Sequence, residues 1–430
     1  MSGALRFCMI STFYPPYSYG GDGITLQRLA RALVRAGHDV TVVHDADAYR
    51  ALGHPDPVVR QADDDGVNVV TLRSALPRLS VLLTHQIGRP VVHGREIATI
   101  LATRRFDVVH FHNASLVGGP GLFSLARGSA TLYTAHEHWL VCPTHVLWRH
   151  GRHGQERCTG RECIRCTLRH GRPPQLWRGT GLLERSLHDV DTFIALSEFS
   201  RQKHHEFGFP RDMEVLPPIV FDAETELLDH VSVDAGGVPP HDRPYFFYAG
   251  RLERIKGLDD VIPIFRDSNA PADLLIAGAG SHEPALRELA ANSPHVRFLG
   301  RLGPDRLAPL YRHAVAHVAP SVCFETFGNT LVESFRQRTP VIARRIGPFP
   351  EIVSHARAGE LFDDASQLRD ACVRLASDRA RRDRLGAAGR AAYEQTWSEE
   401  AIVPRYLDIV ERTMARHDPV QPIAPAVAAV

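Results

Sequence analysis

Two stretches in the second half of the chain place charge where a loop leaves a strand. Gly250-Arg251-Leu252-Glu253-Arg254-Ile255-Lys256-Gly257 carries a guanidinium and an ammonium close together. The fork of Arg and the point charge of Lys suit a diphosphate. The alternative is a solvated cluster in which Arg251 and Lys256 pair with Glu253 and Asp259. The second stretch is Pro320-Ser321-Val322-Cys323-Phe324-Glu325-Thr326-Phe327-Gly328-Asn329-Thr330-Leu331-Val332-Glu333, with seven residues between its two glutamates. Gly328 opens a helix predicted to reach about Arg338, and the free N–H groups of its first turn receive anionic or hydroxyl oxygens. Glu325, just ahead of that helix, can accept hydrogen bonds from sugar hydroxyls. Glu333, two turns on, can accept from a ribose diol.

The first half offers less specific signals. Gly20, Gly21 and Gly23 precede a helix, so the backbone there can approach a phosphate or sugar closely. Their spacing is not G-x-G-x-x-G, and a plain turn explains them equally well. Cys142, Cys158, Cys163 and Cys166 crowd into a segment that also holds Arg149, Arg152, Arg157, Arg161, Arg165, Arg169, Arg172 and Arg178. The last cysteine pair is C-x-x-C, a good metal bite. A structural zinc, plain thiols and disulfides are all open to them, and His145, His150 or His153 can replace one thiolate. Trp139, Trp148 and Trp177 flank the segment, as aromatic faces suited to a sugar or ring acceptor. The arginines suit an anionic acceptor or a membrane surface, or make a solvated face.

These residues hang on an alternation of strands and helices, which predicts an α/β chain. Strands are expected at Leu5–Thr12, Asp39–His44, Asp107–His112, Thr131–Ala135 and Thr192–Ser197, then at Tyr245–Ala249, Asp273–Ala277, Val296–Leu299, Ala314–Val318 and Pro340–Ala343. Residues 217–244 read as a linker. The economical arrangement is two successive Rossmann-like halves, 1–216, with the Cys/Arg-rich insertion at about 139–178, and 245–396, followed by a last long helix at about 397–417. Ligands then bind outside the carboxyl ends of the strands.

The chain resembles glycosyltransferase family 4, the retaining nucleotide-sugar transferases of GT-B fold. The resemblance rests on the glycine loop, the Arg251…Lys256 pair, the Glu325…Glu333 pair, the run Gly347 to Glu351 and the helix after Trp397. It departs at Gly347-Pro348, where the family often has two glycines. It implies two Rossmann-like domains facing across a cleft, an N-terminal acceptor-side domain over 1–216 completed by the C-terminal helix at about 397–417, and a donor-binding domain over 245–396. It implies that Arg251 and Lys256 hold the donor diphosphate with Thr330 near it, that Glu333 binds the ribose, and that Glu325 and the Phe327-Gly328 backbone hold the sugar, with Asn329 also among the donor-binding residues. Gly20 and Gly21 would close over the diphosphate. His112 and His136 match active-site histidines that reach the sugar side, where Tyr19 also falls; a structural histidine is the other reading of each. In a retaining front-face reaction the leaving phosphate oxygen takes the acceptor proton. No metal cofactor is then needed, and Asp45-Ala46-Asp47 and Asp189-Val190-Asp191 read as chance.

Composition narrows the partners. With 50 basic and 49 acidic residues, the net charge of +1 argues against a nucleic-acid-binding surface. The start of the chain lacks a signal peptide's apolar core and no stretch spans a bilayer, so a cytoplasmic location is the default, with peripheral membrane contact left open. The expected partners are a nucleotide-diphosphate-sugar, with GDP or UDP as the base, and a small-molecule or glycan acceptor. Phe13, Tyr14, Tyr17 and Tyr19 suggest a ring-bearing acceptor. A GT-B epimerase or phosphorylase, or a nucleic-acid binder acting through the insertion, are the alternatives. The sequence leaves oligomeric state open. Only Lys203 and Lys256 are lysines, against 48 arginines, and Lys203 reads as a surface residue without a role.

Overall fold

The computed structural model describes residues 3–18, 20–57, 64–149, 152–153, 158, 160–220, 241–266 and 272–417. Tyr19, most of the expected linker 217–244, His150, Arg157 and the tail beyond 417 lie outside the described residues.

Short runs of Val, Ile, Phe and Leu with no polar alternation make strands buried on both faces, the pattern of parallel sheets. The first sheet contains β1 (Arg6–Ser11), β2 (Asp39–Asp45), β3 (Asn68–Leu72), β4 (Val108–Phe111), β5 (Ala130–Ala135), β8 (Thr192–Ala195) and β9 (Met213–Val215). Between β5 and β8 the insertion carries a minimal antiparallel ladder, β6 (Trp148–Arg149) and β7 (Arg152–His153). The main sheet is parallel throughout in the order β3-β2-β1-β4-β5-β8-β9. The second sheet holds β10 (Tyr245–Ala249), β11 (Asp273–Ala277), β12 (Val296–Gly300), β13 (Ala316–Ala319), β14 (Val341–Arg344) and β15 (Gly359–Phe362). Its order is β12-β11-β10-β13-β14-β15, again parallel. In each sheet the order turns back beside the first strand. The crevice at that switch point is where a ligand fits.

Expected and observed strand limits differ by a residue or two at their ends, as hydrogen-bond registers dictate. The expected strands did not include β3, β9 and β15, which are short or only half-buried. The helix after Gly328 spans Asn329–Arg336, ending before Arg338, which takes φ +59°.

The final helix, Glu399–Arg416, lies on the first sheet. Ile402, Tyr406, Ile409 and Val410 share a core with Phe7, Met9, Val108, Leu132 and Ile194. Tyr406 Oη lies 2.9 Å from His110 Nδ1, and Thr413 Oγ1 lies 2.8 Å from Thr192 Oγ1.

Candidate active site

The carboxyl ends of the two sheets face one cleft of about 900 Å³. Residues from both sides line it, including Gly20, Gly21, His136, Arg251, Lys256, Glu325, Phe327, Gly328, Asn329, Thr330 and Glu333.

The second-half wall is built by two loops pressed together. The turn carrying Lys256 ends at Gly257, whose φ of +73° suits glycine. A Cβ there would stand 2.1 Å from Pro320 O, the start of the two-glutamate string. This contact brings Lys256 Nζ to 2.5 Å from Glu325 Oε1. Ser321 Oγ donates to the same oxygen at 2.7 Å. Burial pushes the Glu325 carboxyl up, but Lys256, Ser321 and Arg251 outweigh it, and the group sits below its ordinary range. The expected alternative pairs do not form. Glu253 accepts from Ser281, and Asp259 pairs with His282 at 2.9 Å.

Glu333 differs. Burial raises its pKa, against Arg28, a hydrogen bond from Tyr311 Oη at 3.0 Å, and Arg336. Two carboxyls in one cleft are thus driven in opposite directions by their surroundings. Gly347 takes φ +61°, which suits glycine, and lies against the Glu325 backbone.

The first-half wall places its glycines opposite. The helix Gly21–Arg35 begins at Gly21, and a Cβ on that residue would stand 3.4 Å from Asn329 Nδ2 across the cleft. His136 lines the cleft, and its Nε2 lies 2.8 Å from His112 Nδ1. His112 stands behind His136, buried and packed at a tilt on His110 with ring centroids 4.0 Å apart. Its Nε2 has no hydrogen-bond partner among the described residues. Burial lowers the pKa of both His112 and His136, which keeps them neutral near pH 7.

Several lining residues were not foreseen. Asp22 accepts from Asn113 Nδ2 at 2.9 Å, and both line the cleft, as does Tyr248. The sole hint for Asp22 was its place inside the glycine loop. Thr144, His145, Val146, Gly171, Arg172 and Pro173 bring the insertion to the same cleft.

Other expectations are corrected. Trp139 and Trp177 do not face an acceptor; they are buried against each other, with Arg178 over both rings. Tyr14 is buried and donates to Asp64, while Tyr17 packs on His44 and Tyr49; of this aromatic group Phe13 alone among the described residues lines the cleft. Lys203 is not idle. Its ammonium pairs with Glu206 at 2.5 Å and lies 5.2 Å from the Phe324 ring centroid, beside Glu325. The side chains of the two D-x-D runs make contacts within the first half of the chain and with its C-terminal helix. Asp47 bonds His93 and the Ser74 N–H, and Asp45 caps a short helix. Asp189 pairs with Arg127, and Asp191 with Thr131 and His417.

The halves are also tied beside the site. Glu351 accepts from the Glu198 and Phe199 N–H groups at 3.0 Å each. Thr326 Oγ1 donates to His136 O at 2.8 Å, and Ser197 Oγ to Thr326 O at 2.7 Å.

Two family models match in tandem: Glycosyltransferase Family 4 over residues 19–224 and Glycosyl transferases group 1 over residues 243–378. The chain is a family 4 glycosyltransferase of GT-B fold. The transferase is 26% identical to glycogen synthase of Mycobacterium tuberculosis over 83% of its own length and 81% of that protein's. It is 30% identical to the GDP-mannose-dependent alpha-(1-6)-phosphatidylinositol monomannoside mannosyltransferase of the same organism, over 52% of this chain and 61% of the relative. Sucrose-phosphate synthase of Thermosynechococcus elongatus shares the fold at 19% identity, with a TM-score of 0.70 over 96% of this chain and 99% of that one. Among the described residues no helix is long and apolar enough to cross a membrane.

Proposed function

We propose that the transferase moves a sugar from a nucleoside-diphosphate donor to a small-molecule or glycan acceptor with retention at the anomeric carbon and without a metal cofactor. The observation that carries this reading is the Lys256–Glu325 contact, set with Arg251 at the mouth of the helix Asn329–Arg336. As the glycosidic bond lengthens, negative charge builds on the diphosphate. Arg251, Lys256 and the first-turn N–H groups meet that charge, already oriented. Glu325 steers the ammonium and accepts sugar hydroxyls with its free lone pairs. Glu333 takes the ribose diol.

A retaining front-face path needs no base on the far side of the sugar. The acceptor proton passes to the departing phosphate oxygen. The neutral His136 at the sugar side fits this, since a fixed positive charge there would oppose the cationic anomeric carbon. GDP is the first base to test, because a relative is named for GDP-mannose; UDP is the second. The test is a thermal-shift panel of nucleoside diphosphates with and without a chelator, followed by the anomeric configuration of the product. Stabilisation by one base, unaffected by chelator, and a product that keeps the donor configuration are expected. An inverted product or strict dependence on a divalent cation would overturn the mechanism.

A further inference from the structure

The insertion between β5 and β8 has more cysteine than core. None of its four cysteines is in a disulfide. Cys163 and Cys166 lie one turn apart on the helix Gly160–Arg169, and Cys166 is buried. The Cys158 thiol hydrogen-bonds that of Cys163, with Cys142 within electrostatic reach of both Cys163 and Arg178. Cys166 Sγ lies 3.8 Å from Trp148 O, on the short ladder.

An independent observation concerns charge. The Arg178 guanidinium is part-buried, 4.6 Å from the Trp177 ring centroid and 5.8 Å from that of Trp139. It donates to the carbonyls of Trp139 and Leu140 and to Gln175 Oε1. Among the described residues it makes no ion pair with a carboxylate. The thiols of Cys142 and Cys163 lie within electrostatic reach of it. A part-buried cation packed against two rings is stabilised by a counter-charge, and neutral thiols supply none.

We infer that Cys142, Cys158, Cys163 and Cys166 form a structural zinc site whose net negative charge faces Arg178. Four thiols bind one Zn²⁺ and release four protons to solvent, leaving a centre of charge −2. The site is distinct from the donor cleft and does not depend on the transferase mechanism proposed above. Zinc–sulfur bonds of about 2.3 Å require sulfurs about 3.8 Å apart. No three of these sulfurs lie within 4.8 Å of one another. Closing the tetrahedron draws in Cys142 and Cys158, which stand outside any helix or strand. The metal gives an Arg-rich segment the crosslink that its apolar content does not.

The test uses the full chain purified without chelator and dialysed. Elemental analysis should find about one zinc per chain, and X-ray absorption at the zinc edge should find four sulfur ligands at about 2.3 Å. Cys163→Ser and Cys166→Ser should each lower retained zinc at least roughly tenfold, while Cys372→Ser, in the second half's core, should retain it. The wild-type measurement stands even where a variant fails to fold. Zinc below about a tenth of an equivalent, a non-reduced mass lighter by disulfide formation, or nitrogen and oxygen ligands at the edge would each overturn the inference.

Discussion

Lys256 can be tested by a substitution that keeps its charge. In Lys256→Arg the cation remains, so long-range attraction to a diphosphate remains. What is lost is shape, because a planar fork cannot sit at one point 2.5 Å from Glu325 Oε1 in a turn closed by Gly257 against Pro320. The loss is therefore about one charge-assisted hydrogen bond, about 1.5–3 kcal/mol, or about 10- to 150-fold in kcat/KM. Lys256→Ala removes the charge as well and leaves Glu325 without its ammonium in a site only 24% exposed. Breaking such a pair costs about 3–5 kcal/mol, about 10²- to 10⁴-fold. The assay is release of nucleoside diphosphate from the donor, with nucleotide affinity measured separately by calorimetry. The expected order is wild type, then Arg, then Ala, with circular dichroism unchanged. If Lys256→Arg matched wild type in both turnover and affinity, the argument for a point charge at this position would fail.

The opposed shifts of the two carboxyls give a pH test. Glu333 is raised and so takes a proton first as pH falls, whereas Glu325 is lowered and keeps its charge. Nucleotide affinity should weaken on the acid side, and Glu333→Gln should remove that limb while weakening binding at neutral pH; a limb unchanged in this variant would reassign it. Glu351 caps two N–H groups across the domain boundary. Glu351→Ala should cost about 0.5–2 kcal/mol locally, read as faster amide exchange at Glu198 and Phe199 with nucleotide affinity intact. Unchanged exchange there would remove the cap from the account of closure.

The donor wall was the most legible part of the site, for a physical reason. Arg251, Lys256, Glu325 and Glu333 lie on two contiguous stretches, so their spacing along the chain already constrains where they stand. The opposite wall is assembled from separate loops. Asp22 meets Asn113 only because β1 and β4 are neighbours, and Tyr311 meets Glu333 only through packing. Aromatic loop residues were the poorest guide. Nothing in the runs around Tyr14, Trp139 or Trp177 says whether a ring turns inward, since a loop has no period. Lys203 looked like surface because its own helix is polar; the Phe324 ring that covers it comes from the other half of the chain.

The C-terminal helix has a consequence for how the protein is made. Phe7, Met9 and Val108 belong to strands formed early in synthesis, yet their cover includes Ile402, Tyr406 and Ile409. The first sheet therefore leaves the ribosome with one flank bare and stays so while the whole second half is translated. During that interval the unfinished flank is a target for holding chaperones, and a chain stopped before Glu399 would keep that surface uncovered for good.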